Sequence, residues 1–214
     1  MGGMSRCVVV LITVCTLLSL PAAAEAERRT RVGPAALYHH ADFISDAFEQ
    51  TSDPPTIPDS GAVFSLGIAL THVEPLSDVL GLLVALRMAG PVAVADDGGG
   101  RPLSDYKSPR VVGDGIIGLS RVWGRAATPQ FDIGGGLYFV NLMIKGSDAN
   151  VPSVDSRLIG GLAVEGAVGL PLTSATDFFV AGSAGYGFFP LTTGTRRTSS
   201  ILGAGLTSGV QFRY

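Results

Sequence analysis

The spacing with the most obvious chemistry is Val111-Val112-Gly113-Asp114-Gly115-Ile116-Ile117-Gly118. A G-x-G-x-x-G run after apolar residues is how a dinucleotide fold brings its backbone close to a pyrophosphate at a helix N-terminus. Asp132 even lies near the distance expected for an acid on the ribose. The context argues against this chemistry. The residues after Leu119 meet Gly124 and then Pro129, so no helix can follow, and Asp132 opens an apolar run instead of closing one. Glycine is also abundant, 29 of 214 residues, so chance matches are expected. His39-His40 invites a metal reading, but adjacent residues point to opposite sides of a strand and no ligand cluster accompanies them. There is no G-x-S-x-G, H-E-x-x-H or P-loop lysine. The expectation is therefore no catalytic residue, no cofactor, no metal, and a protein that is not an enzyme.

A second group of polar residues has a different pattern. Arg87, Asp114 and Glu165 each sit inside an apolar segment, on the parity opposite to its large side chains. Those segments recur from Gly61 onward with a period of two, the signature of strands wet on one face. The apolar sets are Phe64, Leu66, Ile68 and Leu70; then Leu80, Leu82, Val84, Leu86 and Met88; then Val111, Ile117, Leu119 and Trp123. They continue with Phe131, Ile133, Leu137 and Phe139, after which a bulge is expected because parity blurs. Leu158, Leu162, Val164, Val168 and Leu170 follow, then Phe178, Val180, Tyr186 and Phe188. The last strand, in SSILGAGLTSGVQFRY, sets Leu202, Ala204, Leu206, Ser208, Val210, Phe212 and Tyr214 against Gly203, Gly205, Thr207, Gly209, Gln211 and Arg213.

Arg29–Leu37 is the natural further strand, weakened by Pro34. Tyr38–Ser60 is then a long loop that has room for a short helix. The competing reading is a helix over Pro34–Gln50, because Leu37, Ala41, Ile44 and Phe48 fall at helical spacing.

Short connections alternate with longer polar ones, Asp96–Lys107, Lys145–Ser156 and Pro190–Thr198. Trp123, Phe131, Phe178, Phe212 and Tyr214 gather at the short-turn end of the strands. Phe64, Phe139, Tyr186 and Phe188 gather toward the long-loop end. Two aromatic belts with charges confined to the other face suit lipid outside and a filled lumen inside.

Residues 1–26 read as a secretory signal peptide: Arg6, an apolar run from Cys7 to Leu20, Pro21, then small residues with Ala22-x-Ala24 and Ala24-x-Ala26 as cleavage sites. Both cysteines, Cys7 and Cys15, fall inside it, so the exported chain is expected to have no thiol chemistry. Beyond it no uninterrupted run of about 18 apolar residues remains, which disfavours a helical membrane protein. Hydrophobic residues make up 46% and charged ones only 15%, with a net charge of -3 and no basic run, so nucleic acid is not an expected partner.

With GLTSGVQFRY, FDIGGGLYFV, FFVAGSAGYGFF and GAVGLPLTSATDFFV on the page, the chain resembles the small outer-membrane β-barrel proteins of Gram-negative bacteria, the eight-stranded OmpA/OmpX type. The resemblance covers about 61–214 and the signal peptide; residues 27–60 supply the uncertain first strand and loop. It implies an all-β, antiparallel up-and-down transmembrane barrel of eight strands in the bacterial outer membrane. It also implies that Val210, Phe212 and Tyr214 form the C-terminal signal read by the barrel-assembly machinery, with Tyr214 in place of the commoner Phe. The expected partners are outer-membrane lipid and that machinery, with the surface partner unidentified. Function is expected in the loops, through surface contact or envelope integrity. Inside the lumen Arg87 is expected to pair with Asp114, and Asp177 with Arg213. The alternatives are a soluble periplasmic barrel holding an apolar ligand and an outer-membrane barrel enzyme acting on lipid, which needs polar residues converging near the rim.

Overall fold

A computed structural model describes residues 27–44, 60–96, 99–101, 106–124, 128–146, 154–191 and 197–214. The signal-peptide reading, and most of the expected loops, lie outside these residues. The described chain is all strand: β1 Arg29–Ile44, β2 Ser60–Pro75, β3 Leu80–Asp96, β4 Gly99–Arg101, β5 Tyr106–Trp123, β6 Gln130–Gly146, β7 Val154–Pro171, β8 Thr176–Pro190 and β9 Arg197–Arg213. Each long strand pairs antiparallel with its sequence neighbours. β1 pairs with β9, and β2 with β3, so the sheet closes into an eight-stranded barrel. The three-residue β4 pairs only with β3 and extends that strand's loop end.

Two corrections concern the first strand. β1 runs seven residues past Leu37, with Tyr38 opposite Phe64 and Asp42 opposite Ser60. The loop expected at Tyr38–Ser60 therefore begins later, and the helix over Pro34–Gln50 is excluded for residues 34–44. The helical spacing misled because Leu37 and Ala41 are also an even number of residues apart. Both face the lumen, together with Ala35 and His39. Pro34 is accommodated at an interruption of the β1–β9 ladder, between the pairs Val32–Val210 and Ala35–Thr207, since proline has no N–H to donate. The other loop bounds move the same way: β6 runs to Gly146, β7 starts at Val154 and β9 at Arg197. The bulge expected after Phe139 lies between Val140 and Leu142, where the β6–β7 register shifts.

The G-x-G-x-x-G run has the strand context that argued against a dinucleotide site. It lies inside β5 and no helix follows it, so it offers no phosphate cradle.

Two of the short connections, at 76–79 and 172–175, are tight side-chain-supported turns. Leu80 N donates to Ser77 Oγ at 3.2 Å, and Thr176 N to Thr173 Oγ1 at 3.0 Å. Gly124, directly after β5, has a φ of 110°, which suits glycine. Strands of 15 to 18 residues exceed the roughly 9–11 that cross a bilayer when tilted, so the barrel wall extends beyond a membrane's thickness.

Candidate functional site

Alternation sends one half of every strand into the barrel. The inward residues divide into two zones. Toward the long loops they are apolar and closely packed: Val63, Val94, Val112, Val140, Leu142, Ile159 and Ile201 are all buried. Toward the short turns charged and polar side chains gather among a few apolar ones, Val73, Leu83 and Phe179. A lumen of eight strands is only wide enough for side chains to fill, and here the fill is oil at one end and ions at the other.

The ionic zone is one connected network. Arg213 Nη2 lies 3.1 Å from Asp177 Oδ1. Gln211 Nε2 donates to Asp177 Oδ2 at 2.5 Å, and Gln211 Oε1 accepts from Arg31 Nε at 2.7 Å. Arg31 then donates to both oxygens of Asp132 and lies 3.7 Å from Glu165 Oε1. Glu165 Oε2 accepts from Arg87 Nη2 at 3.1 Å, and Arg87 Nη1 reaches Ser183 Oγ at 2.5 Å and Asp114 Oδ1 at 3.4 Å. Asp114 Oδ2 ends the network between His39 Nε2 at 3.1 Å and the Tyr138 hydroxyl at 3.5 Å. Each charge in this chain of contacts lies within 4 Å of an opposite one, which offsets the cost of burial.

Arg87 and Asp114 are thus close, and direct cross-strand partners, but Arg87 makes its shorter ionic contact with Glu165. Asp177 and Arg213 are close as well. Sequence reasoning missed Arg31, Asp132, His39, Tyr138 and Gln211. The signal for the two charges was present, because Arg31 alternates with Val32 and Asp132 with Phe131 and Ile133. The inward glycines make room for this content. A Cβ at Gly185 would meet the Tyr138 ring at 3.0 Å, and one at Gly205 would meet Arg87 Nη1 at 2.9 Å.

The outward face carries the large side chains named from the sequence. Ile68 is 67% exposed, Met88 63% and Leu206 59%. Val210, Phe212 and Tyr214 all point outward. At the short-turn rim this face holds a polar cluster. The Tyr214 hydroxyl is 2.7 Å from Thr30 Oγ1, which is 2.9 Å from His72 Nδ1. His72 Nε2 is 3.2 Å from Glu74 Oε2, and Arg28 holds both Glu74 oxygens, at 2.6 and 2.8 Å. These hydrogen bonds raise the already high pKa of Arg28. Its guanidinium also lies 5.8 Å from the Tyr214 ring centre. Among the described residues no group of three or more potential metal ligands comes together.

No protein-family model and no curated protein sequence matches the chain. Solved structures do. The outer membrane protein OprG of Pseudomonas aeruginosa is 14% identical, with 89% of this chain and 97% of that one covered at a TM-score of 0.54. AlkL, solved in lipid bilayers, is 10% identical over 92% of this chain and 94% of its own, at a TM-score of 0.48. Neisserial surface protein A is 15% identical over 89% and 99%, at 0.47. Closed by eight antiparallel strands, ion-filled at one end and superposable on OprG over most of its length, the chain has the fold of the small outer-membrane β-barrels.

Proposed function

We propose that this barrel resides in the bacterial outer membrane and works through the segments that join its strands at the long-loop end, by surface contact or by supporting the envelope. The observation that carries the reading is the outward belt: leucine, isoleucine, valine, methionine and aromatic side chains around the barrel, with the mid-strand charges inside. Water would penalise so continuous an apolar surface, whereas lipid solvates it. The same geometry disfavours the soluble alternative, which would put its apolar parity inward. The packed apolar zone of the lumen supports a role outside the pore. Outer-membrane lipid and, through Val210, Phe212 and Tyr214, the barrel-assembly machinery are the proposed partners. Membrane fractionation with gel migration of boiled against unboiled sample tests the reading. A detergent-extracted band that moves on boiling is expected; a detergent-free periplasmic species with no shift would refute it.

One observation favours a second reading, a lipid-directed esterase. Thr30, His72 and Glu74 stand in hydrogen-bonded order on the lipid-facing rim, the order of nucleophile, base and orienting acid. Thr30 Oγ1 would bond to an ester carbonyl carbon while its proton passes to His72. The ester alcohol would leave with that proton, and water would release the acid and restore Thr30. The reading ranks second because Arg28 holds both Glu74 oxygens and Tyr214 shares Thr30. Ester hydrolysis by the reconstituted barrel, abolished in Thr30→Val, would promote it; no hydrolysis above the lipid background would remove it.

A further inference from the structure

The contacts that run along the lipid-facing rim from Tyr214 to Glu74 have a direction, and one proton sets it. Arg28 donates to both oxygens of Glu74, so Glu74 is a carboxylate that only accepts. The contact of His72 Nε2 with Glu74 Oε2, at 3.2 Å, therefore has its proton on Nε2. In neutral His72 the other nitrogen, Nδ1, then carries no proton and accepts. Thr30 gives its single hydroxyl proton to Nδ1, at 2.9 Å. Thr30 Oγ1 can meet the Tyr214 hydroxyl, 2.7 Å away, only as an acceptor. With His72 neutral, donation runs from Tyr214 to Thr30 to His72 to Glu74.

A second proton on His72 reverses the first two links. Nδ1–H now donates to Thr30, Thr30 donates to the Tyr214 oxygen, and the Tyr214 O–H turns out of the cluster. Tyr214 is 66% exposed, so the released donor faces the surroundings of the barrel. The neighbours of His72 are known strand by strand. Glu74 on β2 and Arg28 just before β1 are opposite charges in contact. Thr30 on β1 and Tyr214 after β9 bring hydroxyls. On β3 the residues opposite His72 and Glu74 are Val84 and Leu82. The carboxylate that ends the sequence at Tyr214 is on the same rim and is the same in both states. Protonation of His72 therefore adds one positive charge beside a pair that is already neutral.

We propose that this rim is a pH-switched site for the phosphate of a phospholipid headgroup, in the leaflet next to the short turns. Its place on the wall favours a lipid over a free anion. Thr30 has His72 and Phe212 as direct cross-strand partners, and the next outward row is Leu70, Val32 and Val210, all exposed. A polar row that borders an apolar belt lies where a bilayer keeps its headgroups. A phosphate oxygen there accepts from the freed Tyr214 hydroxyl and is attracted by the charge added at His72. With His72 neutral the hydroxyl is turned inward to Thr30 and that attraction is missing. Such a site presupposes the membrane barrel proposed above and needs no ester hydrolysis at Thr30.

The test uses the full barrel in phosphatidylglycerol vesicles, with tyrosine Cζ and the histidine ring nitrogens isotopically labelled. Phosphorus-to-carbon dipolar dephasing in solid-state NMR reads the approach of a headgroup to Tyr214, and the ring nitrogens read the state of His72. At about pH 8 the expected result is neutral His72 with its proton on Nε2 and no dephasing at Tyr214; at about pH 5 it is a His72 cation together with dephasing. His72→Gln, which takes up no proton, should give the same Tyr214 signal at both. Dephasing that is equal at both pH values in the wild type, or absent at both, overturns the site. So does a neutral His72 with its proton on Nδ1. The same contact made by inorganic phosphate in dodecyl maltoside micelles would overturn the choice of a lipid. If His72→Gln does not fold, the wild-type pair of spectra alone decides. A protein that stays soluble without detergent would overturn the membrane reading and the site together. A heat-shifted barrel in vesicles with equal dephasing overturns the site alone.

Discussion

Arg87 on β3 and Asp114 on β5 face each other across the pair of strands, with Nη1 and Oδ1 3.4 Å apart, and Glu165 on β7 shares the same guanidinium at 3.1 Å. Removing Arg87 takes the shortest arginine ion pair from two buried carboxylates, Asp114 and Glu165. Arg87→Met is therefore expected to cost about 3–5 kcal/mol in urea unfolding from lipid vesicles. A cycle with Asp114→Asn should show coupling of about 0.5–3 kcal/mol. Additive losses would mean that the two charges are solvated separately.

Tyr138 occupies space that Gly203 and Gly185 leave open. A Cβ at Gly203 would overlap the Tyr138 hydroxyl. Gly203→Ala should destabilise the barrel by about 1–3 kcal/mol through overpacking. Tyr138→Phe, which takes away the clashing oxygen, should recover part of that loss. The readout is the urea midpoint of the single and double variants. A double variant that is no better than Gly203→Ala would show that the ring is not the obstacle.

Tyr214 is fastened to β1 by its hydroxyl on Thr30, and Thr30 to β2 through His72. The cluster ties together the three strands at the closure seam. Tyr214→Phe and Thr30→Val are each expected to lose about 0.5–1.5 kcal/mol, and the double variant little more than either single one. Full additivity would separate the two hydroxyls.

The outward belt makes a depth-dependent prediction. Leu86→Arg, in the middle of β3, should cost about 2–4 kcal/mol on refolding into bilayers, and Leu172→Arg, in a turn, about 0–1 kcal/mol. Leu86 is 54% exposed and Leu172 63%, so equal small costs would indicate that water, not lipid, surrounds the barrel.

The apolar zone of the lumen predicts no ohmic conductance in planar bilayers, because ions do not cross a packed layer that includes Val140, Leu142 and Ile201. Steady single-channel steps from the wild-type barrel would show that this zone opens.

The sequence by itself determined which way each side chain points. Phe64, Leu66, Ile68 and Leu70 against Ala69 and Thr71, or Val164 against Glu165, are sorted by a period of two that every strand carries locally. The bulge after Phe139 and the aromatic rims were legible for the same reason. The end of β1 was not, because Leu37 and Ala41 satisfy a helix and a strand equally. Only the closed barrel decided the partners. Arg31 meets Asp132 101 residues away, Arg87 meets Glu165 78 residues away, and Thr30 meets Tyr214 184 residues away. Alternation assigns a face but no register, and the stagger that brings side chains together across a lumen is set jointly by all eight strands when the sheet closes.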